Sequence, residues 1–231
     1  MLVKINFYNI QSLVVNRVLN IILMSLLLSC NQLKSSSART DSNKVNPNQK
    51  QVKADLIIPA IRDWELRGIS AKTVDDKYQD QAGLKLTIID HDEPYSFVAI
   101  NNIKIGYMGG NYRITIVAKN TVEATRLGLR VQEAYPNRFD AVYDLKNQSV
   151  VGTFKQSEFV QNEVIKVEPL EGMWCRYTLD AEIKSSYFRL IFGPTDASKK
   201  QVSIWEAYDN SKNGQDILIL PESLKVQELE N

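Results

Sequence analysis

Five arginines and three aromatic residues fall where a half-buried strand would turn them away from its apolar side. Over 174–184 the apolar residues take odd positions (Cys175, Tyr177, Leu179, Ala181, Ile183), which leaves Trp174, Arg176 and Thr178 on the opposite face. Over 111–119, Tyr112, Ile114, Ile116 and Ala118 leave Arg113, Thr115 and Val117. Over 126–132, Leu127, Leu129 and Val131 leave Arg126, Gly128, Arg130 and Gln132. Tyr187 and Arg189 oppose Phe188, Leu190 and Phe192, and Trp205 opposes Val202 and Ile204. One face built from Trp174, Arg176, Arg113, Arg130, Trp205, Tyr187 and Arg189 suits sugar recognition. Aromatic rings stack on the apolar side of a pyranose, and guanidinium groups bond hydroxyls or grip the carboxylate of an acidic sugar bidentately. The same residue types also occur on any solvent-facing sheet, and a bulge at Trp174 would reverse its phase and turn it inward. Trp64, in phase with Leu66, reads as core.

Other chemistry has less to work with. The chain holds one histidine, His91, within Asp90-His91-Asp92-Glu93-Pro94, a polar segment that reads as a turn. Its two cysteines and single histidine offer little for zinc, haem or iron–sulfur ligation. Cys175 is in phase with an apolar face and reads as a buried, inert thiol. Carboxylates abound (Asp75, Asp76, Asp180, Glu182, Glu206), but a glycosidase pair is defined by a separation in space that sequence spacing does not supply. Gly106 to Gly110 is too short for a phosphate-binding loop. These readings predict a non-catalytic protein, with a hydrolase as the weaker alternative.

The elements that must position these residues come in three segments. From residue 55 to 231 the chain alternates with a period of two. Turn signals at Gly109-Gly110-Asn111, Pro136-Asn137, Asn147-Gln148, Gly172, Pro194 and Asn213-Gly214 punctuate it. About ten antiparallel strands, with at most a short helix at Val122 to Thr125, predict an all-β fold, an antiparallel β-sandwich or jelly roll. Residues 31–54 contain no aromatic residue and are rich in Ser, Asn and Gln. That composition predicts a disordered tether. Residues 18–29 (VLNIILMSLLLS) are apolar over 12 positions, too short for a span of about 20 residues and suited to a signal-peptide core.

The end of that run, Leu27-Leu28-Ser29-Cys30, resembles the bacterial lipoprotein signal. The resemblance implies cleavage after residue 29 and acylation of Cys30, giving a leader (1–29), a lipidated tether (30–54) and the sandwich (55–231). A signal anchor or an ordinary secretory signal is the alternative. Asn31 rather than Asp implies sorting to the outer membrane, and no acidic run follows Cys30.

Within the third segment several short motifs sit in a familiar order. They are Trp64-Glu65-Leu66, Asp80-Gln81-Ala82-Gly83-Leu84-Lys85-Leu86, Asn111 to Lys119, Leu127-Gly128-Leu129, Asp144-Leu145, Gly172-Met173-Trp174-Cys175-Arg176 and Ile204-Trp205-Glu206. This order is similar to the galactose-binding-like jelly rolls of carbohydrate-binding modules and phage fibre appendages. Asn147-Gln148 and the spacing around Trp174 depart from that pattern. The resemblance implies carbohydrate as a partner and a structural calcium, for which Asp55, Asp75, Asp76, Asp80 or Asp216 are candidate ligands.

The formal net charge of +1 is a cancellation. The leader carries two basic residues and no acid, and the tether carries five basic residues against Asp41. The remainder carries 21 basic against 26 acidic residues. No basic excess marks a nucleic-acid surface. The tether's +4 suits an anionic bilayer, and equally a plain solvated spacer. The sequence therefore predicts a bilayer-anchored envelope lipoprotein that binds carbohydrate. A structural lipoprotein that contacts another envelope protein is the alternative.

Overall fold

A computed structural model of the chain describes residues 50–89, 93–121, 125–210 and 214–230. The leader, Cys30 and most of the tether, His91, and all of the expected short helix but Thr125 lie outside the described residues. Among those described, the elements are thirteen strands and four short 3-10 turns. The strands are β1 (Val52–Asp55), β2 (Glu65–Arg67), β3 (Ile69–Tyr78), β4 (Gln81–Ile88), β5 (Phe97–Lys104), β6 (Gly110–Asn120) and β7 (Arg126–Gln132). They continue with β8 (Arg138–Asp144), β9 (Ser149–Gln156), β10 (Val160–Pro169), β11 (Trp174–Ile183), β12 (Tyr187–Thr195) and β13 (Asp216–Leu229).

All pairings are antiparallel and form two sheets. One has the order β10-β11-β6-β13-β4-β3, with β1 also on β13. The other has the order β2-β5-β12-β7-β8-β9. The architecture is a β-sandwich of the jelly-roll class, as the alternation predicts. Three more strands are present than the turn signals mark. β1 also draws Val52–Ala54 into the fold, because it pairs with the end of β13.

The odd–even reading holds along the strands that carry it. Tyr112, Ile114 and Ile116 of β6, Leu127 and Leu129 of β7, and Tyr177 and Leu179 of β11 all enter one core between the sheets. Trp64 joins them. Its ring meets Phe192 edge-on at 5.6 Å, and its Nε1 donates to the Pro59 carbonyl at 3.0 Å. Cys175 is wholly buried there, and burial pushes its thiol up from the usual range.

β13 is interrupted once. Its register on β6 jumps from Leu220 opposite Val117 to Lys225 opposite Thr115. Pro221 has no N–H to give to the ladder, so the strand must leave it there. Ser223 stitches the resulting bulge, accepting at Oγ from the Val117 N–H (2.8 Å) and donating to the Leu220 carbonyl (2.6 Å).

Candidate functional site

The outer face of each sheet carries a second, smaller apolar cluster, and these clusters decide the fate of the two candidate tryptophans. On the β6–β11 sheet, Trp174 points outward as its phase requires. The β3–β4 hairpin curls over it, however, and packs it against Val117, Leu218 and Leu220 with Val74 and Tyr78 on top. Trp174 is 1% exposed, and the Lys119 ammonium lies 5.6 Å from its ring centre. On the β7–β12 sheet, the segment between β12 and β13 folds back across the face. Its Trp205 lies with Ala99, Val142 and Ile191 at 0% exposure. A Cβ on Gly128 would come within 2.2 Å of that indole, so only glycine lets the ring lie on β7.

Arg130, Asp140 and Glu206 fasten that segment. Arg130 donates from Nε to Asp140 (2.6 Å) and from Nη1 and Nη2 to Glu206 (2.6 and 2.8 Å). Nη2 also donates to the Ser203 carbonyl at 3.1 Å. Trp205 Nε1 donates to Asp140 at 3.0 Å, and Arg138 lies 3.4 Å from its second oxygen. Burial works against the Arg130 charge, but the two carboxylates outweigh it and raise its pKa. At Asp140 the balance goes the other way. Burial pushes it up to about 6 against the pull of Arg130 and Arg138.

This sets a sign for pH. The folded chain holds a proton on Asp140 up to about 6, while the unfolded chain releases it near 3.8. The stability contributed by that proton is present below 3.8 and is lost as pH rises through 6. Urea melts between pH 4 and 7 should therefore show wild type losing stability relative to Asp140→Asn as pH rises. A constant difference between the two would disprove the shift.

The expected single face is therefore two. Arg113, Trp174 and Arg176 lie on the outside of one sheet, and Arg130, Tyr187, Arg189 and Trp205 belong to the outside of the other. Alternation separates inside from outside but does not say which sheet a strand joins. Trp174, Trp205 and Arg130 serve packing and have no free surface for a ligand. Arg189 donates to Asn101 (2.5 Å) and lies 3.3 Å from Glu65. Tyr187 is exposed on a hollow of about 480 Å3 with Asn102, Lys104, Ile105 and Ser186.

Arg113 is held in a fork by Asp180 (2.6 and 2.7 Å), and this hydrogen bonding raises its pKa. Lys166 approaches the same carboxylate at 3.5 Å. Of the calcium candidates, Asp55 accepts from Gln227 (2.7 Å), Asp75 pairs with Lys77 (3.1 Å), Asp76 with Lys119 (2.8 Å), and Asp216 with Lys85. Asp80 sits in the β3–β4 turn with a φ of 65°.

A further open groove, of about 360 Å3, lies on the β6–β11–β13 face. Its floor is Thr115, Val117 and Leu220. One wall is the hairpin tip, with Tyr78, Gln79 and Gln81. The other is the β13 bulge and its continuation, with Glu222, Ser223, Lys225 and Gln227, and Arg176 stands at the side. Arg176 makes one ion pair, to Glu168 at 2.6 Å, and its side chain stays 41% exposed. The volume falls in the range of small-molecule sites. Amides, hydroxyls, a guanidinium and a phenol ring around an apolar floor can hydrogen-bond a polyol and stack on its ring. Arg176 is the one residue of the predicted set that lines this groove. The hairpin and bulge residues were hidden in the sequence, and the signal for them was Pro221 within an otherwise alternating strand.

No family profile matches the chain, and no curated protein matches it at a significant level. Among solved structures it is similar to the C-terminal CBM6 of LamC, a marine laminarinase from Zobellia galactanivorans. The identity is 9% and the TM-score 0.33, over 72% of this chain and 91% of that one. A likeness at that level carries no functional weight.

Proposed function

We propose that this protein is a non-catalytic, lipid-anchored envelope lipoprotein that binds carbohydrate in the groove beside Arg176. The observation that supports this reading is the groove itself, an open concavity lined by hydrogen-bonding side chains over Val117 and Leu220. Paired-acid glycoside cleavage needs two carboxyl groups flanking the scissile bond. Glu222 is the one carboxylate among the described residues lining the groove. Acylated Cys30 would hold the protein in the bilayer, and the Asn31 signal favours the outer membrane.

Affinity-gel retardation and a glycan array test the site. Removing a charged hydrogen-bond donor costs about 1.5–3 kcal/mol, or roughly 10- to 100-fold in affinity. Arg176→Ala should weaken retention by about that factor and Tyr78→Ala by less, about 0.5–1.5 kcal/mol for a neutral partner, while Arg189→Ala on the opposite sheet leaves it unchanged. Wild-type protein retained by no polysaccharide would end this reading. Co-purification of one stoichiometric envelope protein, without glycan retention, would mark the face as a protein-docking surface instead.

A further inference from the structure

Among the described residues, three of the four most exposed large hydrophobic side chains stand at one end of the sandwich: Tyr107 (88%), Met108 (86%) and Tyr135 (74%). Strand register places them there. Lys104 pairs with Tyr187, Gly110 with Ile183, and Gln132 with Arg138. The β5–β6, β7–β8 and β11–β12 loops therefore leave the sheets at the same end. Bonds between the loops join them into one surface. The Ile105 N–H donates to the Ser186 carbonyl (3.0 Å), and Ser185 Oγ donates to Glu133 (2.7 Å). Gly109, with φ 75°, packs so closely that a Cβ would lie 2.1 Å from the Ile183 oxygen. Tyr107 and Met108 thus project from a loop that is braced at its base.

The chain also enters the fold at this end. Val52 pairs with Leu229, the Glu230 N–H donates to the Gln51 carbonyl at 2.9 Å, and Glu228 pairs with Tyr112, two residues from Gly110. The first described residues of the chain therefore lie beside these loops and carry exposed Lys50 and Lys53, the latter paired with Glu228 at 2.6 Å. Exposed Lys104 and Lys184 flank the same loops. Tyrosine has an apolar ring and a polar tip, and it concentrates at the headgroup level of bilayers.

We infer that this end of the sandwich, led by Tyr107, Met108 and Tyr135, rests on the phospholipid surface to which the chain is anchored. The inference depends on the reading of Cys30 as the lipid-bearing residue. Each contact is weak, but the anchor makes the second contact intramolecular, so a few side chains suffice. The groove would then be held above the headgroups and open sideways. Thr115 lies five residues along β6 from Gly110, about 17 Å at 3.4 Å per residue.

The test uses the full acylated protein in vesicles of phosphatidylethanolamine and phosphatidylglycerol. An environment-sensitive fluorophore is attached at Met108→Cys or, at the opposite end, at Lys146→Cys. Cys175 is buried and does not compete for the label. The probe at 108 should shift to the blue on reconstitution and be quenched by lipids carrying a quencher in the upper chain, while the probe at 146 does neither. Adding Tyr107→Ser and Tyr135→Ser should abolish the shift at 108. If the protein floats with the vesicles but the probe at 108 stays solvent-like, the inference fails and the anchor reading stands. If wild type does not float, or floats equally well as Cys30→Ser, the anchor reading fails and takes the inference with it. Loss of glycan retention in the tyrosine double variant, with no shift at 108, would make these rings a sugar platform and overturn the inference.

Discussion

Replacement of Arg130 by methionine should cost about 3–5 kcal/mol, the usual loss when one member of a buried ion pair is removed. Asp140 and Glu206 would remain, 0% and 8% exposed at their side chains, each without the guanidinium that now reaches it at 2.6 Å. Asp140 would keep Arg138 at 3.4 Å, but buried Glu206 would lose the guanidinium that pairs with it, and that buried charge drives the loss, so the methionine's added apolar contact does not offset it. For a domain of this size the expected fall in thermal midpoint is about 10 °C, at roughly 2–4 °C per kcal/mol. Replacing all three charged residues by apolar ones of similar volume should recover part of the loss, because burying the pair is itself expensive. A change in midpoint of only a degree or two for Arg130→Met would show that water reaches the carboxylates. It would also mean that the segment carrying Trp205 is held by packing alone.

Trp174→Ala should lower stability by about 3–5 kcal/mol, the range for truncating a large buried aromatic side chain. The ring fills the space between Val117, Leu218 and Leu220 and the underside of the β3–β4 hairpin, with Tyr78 6.4 Å away. Removing it should also loosen the hairpin tip that walls the groove, so retention on a glycan gel falls together with the melting point. Arg176→Ala, two residues along the same strand, should stay within about 0.5 kcal/mol of wild type while losing retention, since its side chain is only partly buried and its ion pair with Glu168 lies at the surface. Denaturant melts of the two variants beside gel retardation separate the roles. A Trp174→Ala protein with wild-type stability and no retention would make the indole a ligand contact after all.

Arg176 and Trp174 show how far alternation along a strand reaches. Both were legible as outward-facing residues of β11, and both are, but one is solvated and the other is sealed by a hairpin from elsewhere in the sheet. Trp205 and Arg130 repeat the lesson on the opposite sheet. The segment expected to alternate at Val202, Ile204 and Trp205 is instead a 3-10 turn that folds back, burying Val202 and Trp205 in one cluster and covering Arg130, and nothing in the local pattern of β7 announces that cover except Gly128, where a side chain would strike the indole. Tyr78, Ser223 and Gln227 went unmarked because a groove wall made of a turn and a bulge has no period to read. Pro221 was the one local sign that β13 must break step.

The sequence by itself determined the all-β class, the inward-facing sets of β6, β7, β11 and β12, and the burial of Trp64 and Cys175. Each of these follows from a side-chain period of two and from the cost of leaving apolar surface in water. Only the tertiary structure decided which strands share a sheet, which outward-facing residues are covered, and where a groove remains. Those properties depend on pairings between residues far apart in the chain. Arg113 and Arg130, read as neighbours on one face, stand on opposite sides of the sandwich because β6 pairs with β11 and β13, whereas β7 pairs with β8 and β12.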